Sequence, residues 1–271
     1  MSGGALAFAL GAAFLHALWN VLLAGSRDSV AATGALLVFG VLLLAPAALL
    51  VGGDVSAEAL PFVAASAVLE LAYFVLLARA YRGGELGVVY PVARGSAPVL
   101  VLGAALIGLG KGVSWPAAVG VLLVAAGVLV VGVGRSESRR SWTFGMAIGV
   151  AIAGYTLVDS EGLEHADPLP YLFLVTAAVC VAYNGALLAG GRAGGLRAEM
   201  SRSTLVTAAA TFGAYAMVLA ALQMAPAAPV AAVRESSIVI AALLAWLFLG
   251  EQRRLGGAAL VAAGVALIGL A

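Results

Sequence analysis

Ten apolar runs divide this chain, at about 4–24, 30–51, 59–80, 87–109, 115–133, 142–160, 168–190, 204–224, 227–249 and 255–271. Each is roughly 17–25 residues long, the length of a helix that crosses a bilayer. In hydrocarbon the backbone N–H and C=O groups must bond within their own segment, so such runs are restricted to helices. Hydrophobic residues make up 63% of the chain and charged residues 10%, too little polar surface for a soluble globule. The fold class expected is all-α integral membrane, with ten transmembrane helices. Linkers at 25–29, 52–57, 82–84, 135–140 and 191–197 are short and polar, with no room for a soluble domain. The first run has no basic segment ahead of it and contains His16 and Asn20, so it reads as a retained helix rather than a cleaved signal.

The chain repeats itself. Leu-Val-Ala-Ala-Gly-Val occurs at 123–128 and again at 260–265, each time with a glycine five residues after its own, at Gly132 and Gly269. Sixteen residues separate Arg94 from Lys111 in Leu-Gly-Lys, and sixteen separate Arg234 from Glu251 in Leu-Gly-Glu. Weaker echoes pair Ala72-Tyr73 with Ala214-Tyr215, and Trp19-Asn20 with Tyr155-Thr156. This predicts a first repeat over 1–134, a linker over 135–141 and a second repeat over 142–271. Five helices is an odd number, so the second copy enters the membrane upside down, as two inverted five-helix repeats.

Charge predicts orientation. Linkers after odd-numbered runs hold Arg27, Arg79, Arg82, Arg135, Arg139, Arg140, Arg192, Arg197, Arg202, Arg253 and Arg254, whereas those after even-numbered runs hold Lys111 alone. By the positive-inside rule the odd linkers face the cytoplasm of a cell inner membrane and both termini lie outside.

Arg94 and Arg234 are the two cations deep inside apolar runs. A guanidinium at bilayer depth costs about 2.5–3.5 kcal/mol or more, so it faces a polar cavity or a carboxylate. Three readings stand: forked hydrogen bonds to an anionic substrate group, neutralisation by Glu70 or Glu235 for folding alone, or snorkelling along the helix. Glu70 is the deepest carboxylate. It is a candidate proton carrier if no arginine pairs with it, and a permanent ion-pair member if one does; Glu235 is the second proton-coupling candidate. Tyr73, Tyr90, Tyr155 and Tyr215 are expected to shape the same cavity, with His16 and Asn20, four apart on one helical face. Asp159, beside Ser160 and Glu161 near a run's end, reads as solvated. Pro91, Pro98 and Pro229 remove backbone donors and predict kinks, Pro229 alternatively starting its helix. Gly120 and Gly127, like Gly257 and Gly264, are spaced by seven and form stripes fit for close helix packing, within a subunit or between two.

Soluble-enzyme signals fail. The Gly110-Lys111 pair has Gly112 where a phosphate-binding loop needs Ser or Thr, and Glu164-His165 lacks the first histidine of a zinc-protease motif. No metal, cofactor or nucleic-acid partner is expected, and Cys180 is the one cysteine. The chain is read as no enzyme, partnered by the bilayer and a small-molecule substrate, with protons as coupling candidates, as a monomer or homodimer.

At these residues the chain resembles the drug/metabolite transporter superfamily, in its ten-helix EamA branch. The likeness is carried by His16-Ala-Leu-Trp-Asn20, by Tyr90-Pro91 leading into the fourth run, and by Leu249-Gly-Glu251 ahead of a glycine-rich last run. It implies two five-helix repeats, a central cavity between helices 1, 3, 4, 6, 8 and 9, and alternating access. Two features depart from the family pattern. Gly110-Lys111 stands where the second half has Gly250-Glu251, and the charge count puts the termini outside where many relatives have them inside. Tyr90-Pro-Val-Ala-Arg94 and the His16 segment also resemble relatives suspected of serving phosphonate use, a pointer to anions.

The leading functional expectation is a secondary active transporter of a small organic anion or zwitterion, amino-acid-like or phosphonate-like. Its rivals are a proton-coupled exporter of hydrophobic cations centred on Glu70, a lipid-headgroup flippase, and a non-transporting membrane scaffold.

Overall fold

The computed structural model describes residues 1–24, 28–83, 86–109, 112–132, 139–240 and 255–271, and the side chains of residues 20, 21, 23, 24, 81–83, 86–88, 132 and 255 lie outside it as well. Asn20, Lys111 and Glu251 therefore fall outside the described set.

The described residues form helices α1 (Gly3–Ala24), α2 (Ser29–Val51), α3 (Leu60–Gly83), α4 (Leu86–Leu106), α5 (Trp115–Gly132), α6 (Arg139–Gly162), α7 (Pro168–Ala189), α8 (Ala193–Glu199), α9 (Arg202–Met224), α10 (Ala227–Arg234) and α11 (Leu255–Leu270). Among these residues there is no strand, only an isolated bridge between Val55 and Ala166. Six of the helices are long and apolar enough to cross a membrane, in α2, α3, α4, α6, α7 and α9, and three shorter apolar helices lie in α1, α5 and α11.

Local chemistry sets several boundaries. Asp28 caps α2 by accepting from the N–H groups of Val30 and Ala31, and Ser201 caps α9 by accepting from that of Thr204. Pro91 and Pro98 lie inside α4, which runs through both. The second-half break falls elsewhere. Pro229 sits in the first turn of α10, where a missing N–H costs nothing. The chain turns instead at Glu235 and Ser236 before becoming helical again at 237–240. There Glu235 N–H donates to Ala232 O and Ser236 N–H to Val233 O, both at 3.0 Å, so the last turn of α10 tightens beside Arg234. The polar linker expected at 191–197 carries the extra short helix α8.

Packing brings α5 against α11, α1 against α9, α6 against both α3 and α4, and α2 against α7. The glycine stripes meet each other inside one chain. A Cβ on Gly120 would lie 2.8 Å from Gly264 O, and one on Gly127 would lie 2.7 Å from Gly257 O. The reversed order makes α5 and α11 antiparallel, with backbones closer than side chains would permit.

The two ends of the bundle differ in charge. At one end the Met1 ammonium reaches Ile268 O, and the 52–56 turn is tied to 165–167 through Asp54 N–H to Asp167 Oδ2 at 2.8 Å. Among the described residues there, Glu58 Oε2 lies 3.2 Å from His165 Nδ1. At the other end Arg192 pairs with Asp28, and Asp28 N–H donates to Glu199 Oε1 at 3.1 Å. Arg192, Arg197 and Arg202 follow one another along that end.

Candidate functional site

Arg94 lies in the middle of α4 and Arg234 ends α10. Their guanidiniums are 2% and 0% exposed, and Glu235 between them is 0% exposed. Arg94 Nη1 donates to Glu235 Oε1 at 3.2 Å and Oε2 at 3.3 Å, while Arg234 Nε donates to Oε1 at 3.3 Å. Two cations thus share one carboxylate. The break after Arg234 allows this, because it turns the neighbouring Glu235 back toward both guanidiniums. Arg94 Nη2 and both Nη atoms of Arg234 are buried and have no hydrogen-bond partner among the described residues. Buried N–H donors without acceptors are uncommon and call for an explanation.

Tyr90, one turn before Arg94, lies under its guanidinium with Cζ 5.1 Å from the ring centroid. That is cation–π geometry, so Tyr90 supports Arg94 rather than lining the cavity. The other three tyrosines form one aromatic chain, with Tyr73 and Tyr155 rings 5.9 Å apart and Tyr155 and Tyr215 rings 5.7 Å apart, both edge to face.

Beside this chain is a cavity of about 30 Å³ lined by His16, Trp19, Glu70, Tyr73, Phe74, Tyr155, Thr211, Phe212 and Tyr215. It holds water-sized occupants only. Of the residues expected from sequence, the cavity brings together His16, Glu70, Tyr73, Tyr155 and Tyr215. Arg94 and Arg234 do not line it, although Tyr155 neighbours both. The arginines pair with Glu235, and no ion pair joins Glu70 to either of them among the described residues.

Asp159 corrects a sequence expectation. It is 0% exposed rather than solvated. Tyr171 Oη donates to its Oδ1 at 2.9 Å and Tyr215 Oη donates to its Oδ2. The loop after α6 folds back so that α7 starts over the helix end, and Gly162 leaves room for the Tyr171 ring, which a Cβ there would meet at 2.7 Å. Its signal in the sequence was the four-residue spacing from Tyr155, which puts both on one helical face. Asn184 was also missed. It donates to Gly34 O at 3.2 Å, fastening α7 to α2. Groups of three or more metal-ligating side chains are absent among the described residues.

This arrangement of buried charges and aromatics among apolar helices has a match. Residues 140–271 fit the model of the EamA-like transporter family. That match covers the second half of the chain alone. With the six long apolar helices, this likeness to a transporter family makes the chain a multi-pass membrane protein. A solved crystal structure of a protein matches this chain with a TM-score of 0.77 at 15% identity, covering 100% of this chain and 98% of that one. At that identity the likeness concerns the fold. No curated protein matches the chain.

Proposed function

We propose that this EamA-like protein is a secondary active transporter of a small zwitterion of amino-acid-like chemistry, working by alternating access. The observation that carries this is the fully buried Arg234, whose two terminal nitrogens have no acceptor among the described residues. The Arg94–Glu235–Arg234 cluster has one positive charge in excess, and a substrate carboxylate or phosphonate would accept from those nitrogens in charge-assisted bonds. On the other side of Tyr155, Glu70 and the aromatic rings of the cavity suit an ammonium group. The two poles of a zwitterion would thus span Tyr155. A substrate-sized site of about 300 Å³ or more requires the cavity to widen.

Ten membrane helices in two inverted repeats fit the packing. Exchanging each helix for its counterpart five runs later turns α1 on α9 into α6 on α3, α4 on α6 into α10 on α1, and α2 on α9 into α7 on α3, and all of these contacts are present. The pairs α2–α7 and α5–α11 exchange into themselves. Both termini at one end suit an even number of crossings. The arginine-rich end faces the cytoplasm by the positive-inside rule, which leaves the termini outside an inner membrane.

Thermal stabilisation of purified protein by a panel of anionic, zwitterionic and cationic metabolites tests the reading, since a ligand of the folded state raises its apparent stability. Zwitterions should stabilise, and the gain should vanish in the Arg94→Gln/Arg234→Gln double variant and fall in Glu70→Gln. Stabilisation by lipophilic cations alone, lost in Glu70→Gln and kept in the double variant, would replace this reading with the hydrophobic-cation exporter. That rival is favoured by one observation, that Glu70 lines the cavity and the arginines do not. A flippase would respond to lipid headgroups, and a scaffold to none of the panel.

A further inference from the structure

Among the described residues, the buried ionisable groups do not balance if all carboxyls are charged. Arg94 and Arg234 are two cations, while Glu70, Asp159 and Glu235 are three acids, each 5% exposed or less. Full ionisation leaves two positive against three negative charges, a net −1 where an uncompensated charge is costly. His16 in its neutral form does not change this count. Glu235 is committed to both guanidiniums, so the surplus lies with Glu70 and Asp159.

Tyr215 stands between the two, donating its single proton to Asp159 Oδ2 and lining the cavity with Glu70. With that proton already given, Tyr215 Oη can only accept from Glu70, and Glu70 can donate only when protonated. Tyr171 occupies the other oxygen of Asp159. Glu70 lines the cavity and Asp159 does not.

We propose that Glu70 and Asp159 act as one acid, a dyad bridged by Tyr215 that holds a single proton and exchanges it with the cavity through Glu70. The internal transfer balances: protonated Glu70 gives its proton to Tyr215 Oη as Tyr215 passes its own to Asp159, leaving a Glu70 carboxylate and a protonated Asp159. The charged and titratable groups facing the pair are His16 from α1, Tyr73 from α3, Arg94 from α4, Tyr155 from α6, Tyr171 from α7, Tyr215 from α9, and Arg234 with Glu235 from α10. As the coupling site of a transporter the dyad rests on the function proposed above; its proton inventory does not.

Infrared spectroscopy of the purified full-length protein in lipid tests it through the C=O stretch of protonated carboxyl groups. Near neutral pH the wild type should show one buried protonated carboxyl per chain. Glu70→Gln and Asp159→Asn should each abolish the band, because the remaining carboxylate then balances the arginines. Tyr215→Phe, close to isosteric, should retain and shift it, and covers the case in which the carboxamide variants do not fold. No band in the wild type, a band that survives Asp159→Asn, or one unshifted in Tyr215→Phe overturns the dyad. The readout is separate from transport: a dyad band in a protein that binds no member of the panel sinks the transport reading alone, and ligand binding without the band sinks the dyad alone.

Discussion

Arg94 and Glu235 are 141 residues apart in sequence and 3.2 Å apart in space. Their ion pair joins the two halves of the chain, and Arg234 joins it from the neighbouring position. Removing the shared carboxylate would leave two like charges buried side by side, whereas removing Arg94 would leave a neutral pair. Glu235→Gln should therefore cost about 3–5 kcal/mol, the usual penalty for stranding a buried charge, and Arg94→Gln distinctly less. Thermal unfolding in detergent measures the order. If Arg94→Gln is the more damaging, the cluster is not organised around Glu235.

The glycine stripes give a second expectation. Ala at Gly127 places a Cβ 2.7 Å from Gly257 O, a backbone atom that moves only with its helix. Gly127→Ala should cost about 1–3 kcal/mol, the range for overpacking. Gly185→Ala on α7, where a Cβ meets nothing within 4 Å, should be close to neutral. Equal unfolding temperatures for the two variants would refute the close approach of α5 and α11.

How far the sequence exposes this molecule depends on the range of the interaction. Bilayer-length runs locate most helices to within a few residues, because length and apolarity alone decide a membrane helix. The repeated Leu-Val-Ala-Ala-Gly-Val marks the stripes that pack α5 on α11. Arg94 and Arg234 stand out because a charge in such a run needs a partner, yet the choice of Glu235 over Glu70 depends on the helix break at 235–236, which no proline marks. Asp159 was misread for a similar reason. Its proximity to a helix end suggests water, and only the return of α7 with Tyr171 covers it.

Two side chains of α7 donate to backbone carbonyls of α2, Tyr183 Oη to Val30 O at 3.1 Å and Asn184 Nδ2 to Gly34 O at 3.2 Å. A Cβ on Gly34 would lie 2.6 Å from Asn184 Oδ1. Gly34→Ala and Asn184→Leu act on the same contact, so each should lose roughly 0.6–2 kcal/mol, as interhelical polar contacts in membranes do. The double variant should lose less than the sum. Strict additivity in a double-mutant cycle would mean that the contact contributes nothing.

At the arginine-rich end, Asp28 carries a pH dependence whose sign follows from its surroundings. Burial pushes its carboxyl up, but the N–H groups of Ala31 and Val30 and the Arg192 guanidinium together outweigh burial and hold it below the usual carboxylate range. A carboxyl lowered by folding contributes stability above its unfolded value and loses it as pH falls through the folded value. Asn at this position keeps the cap and removes the charge, whereas Ala removes both. At neutral pH Asp28→Asn should therefore lower the unfolding temperature slightly, since the Arg192 pair is one-third exposed and screened. Asp28→Ala should lose about 1 kcal/mol more through the missing cap. On acidification below the ordinary aspartate range the difference between wild type and Asp28→Asn should shrink to zero, while that between Asn and Ala persists. A wild-type advantage that survives in acid would show that Asp28 acts through its hydrogen bonds and not through its charge.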